Sequence, residues 1–197
     1  MKPRLRCEWA NADSVCAHYH DTEWGVPTRD PQVLFERLTL ESMQAGLSWL
    51  TVLNKREAMR RAFHGFDPKA LAEVADIEKL DWLKDSGLIR HRGKLNGMIA
   101  NARIFDEMIE PGRFLWSFVS DTPIQNGWRQ GTDVPSKTER SKKMSRALKE
   151  LGFIFVGPTT CYSFMQSAGL VNDHVVSCYR HAEVSCANSL ASTRQEG

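Results

Sequence analysis

The chain has 197 residues, 42% hydrophobic and 25% charged, with a formal net charge of +2 at pH 7. It is long enough to bury a full core without staples, and so small a charge excess excludes nucleic-acid binding by bulk basicity: a footprint would depend on where basic residues sit. No apolar run approaches ~18 residues and the amino end lacks a signal core, so membrane spanning and secretion are not expected and the cytoplasm is the default. In that reducing compartment the five cysteines argue for metal ligation or burial rather than a disulfide framework.

The amino-terminal segment carries Cys7, Cys16, His18 and His20 close together, with Tyr19 between the two histidines. The spacing of Cys7 and His20 belongs to no common finger, so by itself it leaves metal and burial both open. Residues 20–27 hold turn formers and lead to Asp30-Pro31, an N-cap followed by proline at the first helical position, which predicts a helix to about Ala45. On that helix Leu34, Leu38 and Ala45 fall within a ~40° arc, and Glu41 lies roughly 20° from its edge. The acid is therefore placed on the buried stripe. A working carboxylate, a hidden ion pair, a side chain snorkelling to water and a cap on a neighbouring helix are all consistent with that placement. Gly46 can end the helix and Ser48 can cap the next, holding Leu47 and Trp49 close to the acid, an arrangement suited to a cationic planar ligand such as a damaged base.

A second helix is predicted through Trp49, Val52, Leu53, Ala58, Met59 and Phe63, with Lys55, Arg56, Arg60 and Arg61 off its apolar face, stopped by His64-Gly65. Asp67-Pro68 starts a short helix, and Asp76 is expected to cap another through Ile77, Leu80 and Leu83. Residues 83–94 look like two helices joined by a glycine-bearing turn, the second running from Arg90 to about Ile109. Amides at its start beside Arg90, Arg92 and Lys94 would suit a phosphate, although an ordinary helical hairpin with a basic start reads the same way. Pro111-Gly112 precedes a short apolar helix, and residues 120–135 read as an irregular loop. Ser136 to Glu139 has capping-box spacing and opens a basic helix to Leu151. Thr160 to Ala168 is a nearly apolar, central helix ended by Gly169. His174 and Cys178, four apart, can share one ion. Residues 181–197 are small and polar and are expected to form a disordered tail after one helical domain spanning residues 1–180. With neither repeats nor a strand pattern, the fold class is all-α, about ten helices.

Four stretches together resemble the 3-methyladenine DNA glycosylase I family of helix-hairpin-helix repair enzymes. They are Tyr19-His20-Asp21-x-Glu23-Trp24-Gly25-Val26-Pro27, Leu40-Glu41-x-x-Gln44-Ala45-Gly46-Leu47-Ser48-Trp49, Gly87-Leu88-Ile89-Arg90-His91-Arg92-Gly93-Lys94, and Cys161-Tyr162-Ser163-Phe164-Met165-Gln166 continuing through Gly169-Leu170-Val171-Asn172-Asp173-His174. The resemblance runs from Cys7 to Cys178. It implies a compact helical domain with a helix-hairpin-helix motif and a structural Zn2+ held by Cys7, His20, His174 and Cys178, which clips the two chain ends together and has no open position for chemistry.

The implied reaction is hydrolysis of the N-glycosidic bond of N3-methyladenine in double-stranded alkylated DNA by a monomeric, monofunctional enzyme. Methylation makes the base cationic and already a good leaving group, so the work lies in extruding the nucleotide and holding the charge. By resemblance Glu41 is the catalytic carboxylate, accepting hydrogen bonds from the amine edge of the base and favouring its positive charge. Trp49 stacks on its face, Tyr19 adds a polar contact, and Trp9 and Ser163 line the pocket. Leu47 is the wedge for the vacated stack, and Gly87, Arg90, Arg92, Gly93 and Lys94 of the hairpin grip phosphates. Cys16 stands where family members tend to carry an aromatic, which bears on pocket shape. A different reading of the same features is a non-catalytic, zinc-stapled DNA-binding module; a metal-dependent hydrolase is disfavoured because four protein ligands leave no site for water.

Overall fold

A computed structural model describes residues 4–192. Among them are ten α-helices: α1 (Ser14–Thr22), α2 (Pro31–Gln44), α3 (Trp49–Ala62), α4 (Pro68–Ala72), α5 (Asp76–Lys84), α6 (Arg92–Glu107), α7 (Pro111–Ser117), α8 (Glu139–Glu150), α9 (Pro158–Ser167) and α10 (Tyr179–Ser192). The helical reading is therefore right in class. Two strands of two residues each, β1 (Ile124–Gln125) and β2 (Val171–Asn172), pair in parallel with Ile124 opposite Val171. They are too short to leave an alternating pattern in the sequence. No described helix is long and apolar enough to cross a membrane.

The centre of the molecule is α2. Asp30 accepts the Val33 amide at 2.9 Å and Pro31 occupies the first turn, so the helix begins where local chemistry asks it to. Leu34, Phe35, Leu38, Leu40 and Met43 point in several directions around it and all are buried, because α3, α6 and α9 pack against it. Gly46 takes φ +77° after its end, and Ser48 caps α3 by accepting the Thr51 amide at 3.1 Å. Gly169 fixes α9 to the segment before α2: with φ +72°, a Cβ there would come within 2.3 Å of the Pro27 nitrogen. The segment before α1 meets the start of α10, the Tyr179 amide donating to the Leu5 carbonyl at 3.0 Å.

Several local expectations are corrected. Cys16, His18 and His20 lie on a helix absent from the predicted elements: residues 14–22 form α1, capped by Asp13, which accepts the Val15 amide at 2.7 Å. Asp76 sits inside α5 and pairs with Lys79 rather than capping the helix. α6 starts at Arg92, two residues later than read, because His91 Nδ1 accepts the Lys94 amide. The cap of α8 is Thr138, in reciprocal bonds with Ser141, so the box read at Ser136 is displaced by two residues. The tail expected from residue 181 is helical as far as Ser192. Val184 is buried, Asn172 Nδ2 donates to the His181 carbonyl and His181 Nε2 meets the Asn126 carbonyl at 2.8 Å, contacts that no local pattern announces. The last part of that expected tail, residues 193–197, lies outside the described residues.

Candidate active site

The carboxyl half of α2 carries Glu41 to the wall of a cleft of about 660 Å³. Tyr19 from α1, Trp9 from the preceding turn, Trp49 from the start of α3 and Ser163 from α9 line the same cleft, so all five residues singled out for base binding converge. Tyr19 and Trp49 have ring centroids 5.2 Å apart, and Trp9 meets Tyr19 at 6.4 Å. Glu41 is 7% exposed and no ion pair among the described residues ends on it, which removes the hidden salt bridge and the snorkelling side chain as explanations. Its neighbour Ser167 can turn its single hydroxyl proton to the Phe164 carbonyl at 3.1 Å or to Glu41. Burial pushes the Glu41 carboxyl up to about 8, while the Ser167 hydroxyl and the Arg37 charge act the other way without overcoming it. Burial also pushes the Tyr19 phenol well above its ordinary value, and a charge on Glu41 pushes it further.

Sequence reasoning assigned no role to the rest of the wall. Trp24 meets Trp9 edge-on at 5.1 Å, and Gln44, Tyr162 and Gln166 also line the cleft. Behind them Asp173, 1% exposed, is a hub. Its Oδ1 accepts from Asn126 Nδ2 at 2.6 Å and Trp128 Nε1 at 2.8 Å, and its Oδ2 accepts from the Tyr162 hydroxyl and Gln166 Nε2, both at 2.7 Å. Four donors on an acceptor-only group fix α9 and the loop after β1 to each other. Only the sequence adjacency of Asp173 to His174 hinted at it.

Leu47, at the tip between α2 and α3, is 39% exposed and lines a second cleft of about 450 Å³ with Arg90, His91 and Lys94. Arg92 is exposed but lines a different cleft, beside Asp76 and Lys79. Gly87 has no left-handed φ; it leaves room, since a Cβ there would lie 3.0 Å from Asp85 Oδ1. Gly93 follows Arg92 in the first turn of α6. Lys94 needs correction as a phosphate contact: it is 7% exposed, and its ammonium donates to the carbonyls of Met43 at 2.8 Å and Ala45 at 2.6 Å. It caps the carboxyl end of α2, where a cation meets orphan carbonyls and the negative end of the helix dipole.

Cys7, His20, His174 and Cys178 are all buried, and their ligand atoms lie within 4.8 Å of one another. His174 Nδ1 is 3.2 Å from His20 Nε2, 3.6 Å from Cys178 Sγ and 3.7 Å from Cys7 Sγ, and Cys178 Sγ is 3.4 Å from His20 Nε2. A tetrahedral zinc with bonds of about 2.0–2.3 Å spaces its ligand atoms by roughly 3.3–3.8 Å, so the donor set fits. The outer ring nitrogens fit too. His20 Nδ1 meets Asp21 Oδ1 at 2.9 Å and His174 Nε2 meets the Trp24 carbonyl at 3.0 Å, which turns both inner nitrogens toward the common centre as acceptors. Asp21 is in turn gripped by Arg6, whose hydrogen bonds hold it well below the usual carboxylate range. The competing residues stand apart: His18 is exposed, and Cys161 is buried with its thiol 3.5 Å from the Val156 carbonyl.

A family model for methyladenine glycosylases matches residues 9–181. The DNA-3-methyladenine glycosylase of Haemophilus influenzae is 50% identical over 177 residues, covering 88% of this chain and 96% of its own length. A crystal structure of a 3-methyladenine DNA glycosylase I superposes with a TM-score of 0.87 at 45% identity, over 89% of this chain and 98% of the other. Another, of a variant glycosylase I in complex with 3-methyladenine, gives 0.83 at 34% identity, over 88% and 96%. The helical architecture is thus that of the DNA glycosylases of type I. The chain belongs to the methyladenine glycosylase family.

Proposed function

We propose that this protein hydrolyses the N-glycosidic bond of N3-methyladenine in alkylated duplex DNA, releasing free 3-methyladenine and leaving an abasic site. The observation that carries the reading is a buried, unpaired carboxylate, Glu41, at the wall of an aromatic cleft; the family membership and the names of the relatives agree with it. The nucleotide swings out of the duplex, Leu47 fills its place, and the amides and arginines of the hairpin, Gly87, Arg90, Arg92 and Gly93, fix the phosphates. In the cleft Trp49 and Trp9 face the cationic ring, Tyr19 and Ser163 offer polar contacts, and Glu41 ionises as the cation arrives and accepts from its amine edge.

The bond from C1′ to the base breaks with its electron pair leaving on the neutral purine; water adds its oxygen to C1′ and gives up a proton. Among the described residues no lysine lines the cleft, and Lys94 holds two backbone carbonyls, so none of them offers an amine for a Schiff base, which supports a monofunctional reading. When bound at Cys7, His20, His174 and Cys178, zinc supplies a closed structural cross-link between the chain ends. The protein acts as a cytoplasmic monomer. Replacing Cys178 with Ser is expected to reduce bound zinc and lower Tm together.

Chromatography of the bases freed from methylated DNA tests the proposal. A peak of 3-methyladenine that depends on the protein is expected. Tight binding to methylated DNA with no released base would instead make the chain a zinc-stapled binding module.

A further inference from the structure

The connection between α8 and α9, residues 151–157, holds a side chain that the base-excision reading leaves without a role. Phe155 has φ +59°, a left-handed conformation unfavourable for a bulky L-residue. Phe153 and Val156 beside it are buried, whereas Ile154 and Phe155 remain 43% and 39% exposed.

The ring is seated on the opening turns of α6. A Cβ on Gly97 would come within 2.8 Å of Phe155 Cδ2, and one on Gly93 would stand 3.8 Å from its Cζ. Glycines weaken a helix, and these two lie one turn apart, where together they clear a track for the ring. Asn101, a further turn along the same face, clamps Ile154 with two 2.9 Å bonds, Nδ2 to its carbonyl and Oδ1 from its amide. Ser42 Oγ shares its proton between the Leu38 carbonyl at 2.9 Å and the Phe155 carbonyl at 3.2 Å, and Ser145 Oγ donates to that of Val156 at 2.6 Å. Left-handed backbone, helical glycines and clamps all hold a half-exposed aromatic ring in one place. Core packing alone would bury it.

Its neighbours identify what covers it. The ring adjoins the turn of α6 that opens with exposed Arg92, preceded by exposed Arg90 and His91, a surface complementary to phosphate. On its other side Ser42 ties it to α2, next to Glu41 and close to Gln44 on the cleft wall. We infer that Phe155, seated on Gly93 and Gly97, is a further DNA contact that packs its open face on deoxyribose and base edges beside the extruded nucleotide.

This rests on the glycosylase reading, and the test separates the two. Fluorescence anisotropy with a duplex carrying a tetrahydrofuran abasic analogue is compared for wild type, Phe155→Ala, Phe155→Leu and Arg92→Ala. Phe155→Ala is expected to weaken duplex binding about tenfold, with free 3-methyladenine affinity, Tm and the salt dependence of duplex binding unchanged. Arg92→Ala should instead reduce the salt slope by about 1. If the alanine variant folds poorly, Phe155→Leu keeps the apolar seat and removes the aromatic face, and it should still lose duplex affinity several-fold. Wild-type duplex affinity in both Phe155 variants, or a loss that tracks Tm and free-base affinity, overturns the inference. A wild-type protein that ignores the duplex altogether overturns the glycosylase reading itself.

Discussion

Two glutamates on α2, Glu36 and Glu41, are almost equally buried, at 6% and 7% exposure, and have opposite fates. Glu36 accepts from Arg56 Nε at 2.8 Å and from Arg60 at 2.7 and 3.1 Å, while Arg56 also grips Glu23 with two bonds. Burial works to raise the Glu36 carboxyl, but the hydrogen bonds from Arg60 and Arg56 more than offset it, and the group sits below its ordinary range. Glu41 has the burial without a hydrogen-bonded arginine, the charge of Arg37 being too little to offset it, and is pushed up to about 8. One end of the helix has its charge completed by the fold. The other end has a buried carboxylate with no ion pair among the described residues, the feature on which the proposed recognition of a cationic base rests.

The comparison can be broken most forcefully at the paired end. Glu36→Gln leaves the buried Arg56 with half of its partners, and a loss of about 3–5 kcal/mol is expected from urea unfolding. Glu41→Gln should do the reverse to stability. An unfolded chain loses this proton near pH 4.5 and the folded chain keeps it until about 8. The native state therefore binds more protons in that window, and wild-type stability falls as pH rises through it. The amide variant lacks that fall, so it should be more stable by on the order of a few kcal/mol above pH 8 and little different near pH 4. Its excision of 3-methyladenine should drop about 100-fold, since a developing charge loses its preorganised partner.

The same window sharpens the contrast through binding. A permanently cationic purine needs Glu41 ionised, so its affinity should rise with pH toward about 8 and then level, a slope that Glu41→Gln removes. The smallest effect belongs to the helix end beside the acid. Lys94→Met leaves the Met43 and Ala45 carbonyls without their donor, and thermal or urea unfolding should show a loss of about 1–3 kcal/mol with the free-base affinity retained.

What the sequence made legible follows from locality. Asp30-Pro31, Ser48 and the Glu41 stripe are signals contained within a turn or two, and they placed α2, α3 and the acid correctly. Cys16, Tyr19 and His20 share one face of α1, with Asp13 as its cap, a helical pattern equally local that the cluster of candidate ligands obscures. Arg56 was read as standing off the apolar face because its partners, Glu23 and Glu36, come from elsewhere in the chain. Asp173 was opaque for the same reason, its four donors arriving from residues 126, 128, 162 and 166. Lys94 misled because an amide-rich helix start beside basic residues resembles a phosphate site, whatever carbonyls tertiary packing brings to the lysine.

The protonation of Glu41 is the most direct measure of the account. Carbon-13 NMR of the Glu41 side-chain carboxyl, identified by its absence in Glu41→Gln, should titrate in the free protein with a midpoint at about 8, and saturation with a cationic purine should move that midpoint downward. A midpoint near 4.5, indifferent to the ligand, would contradict it.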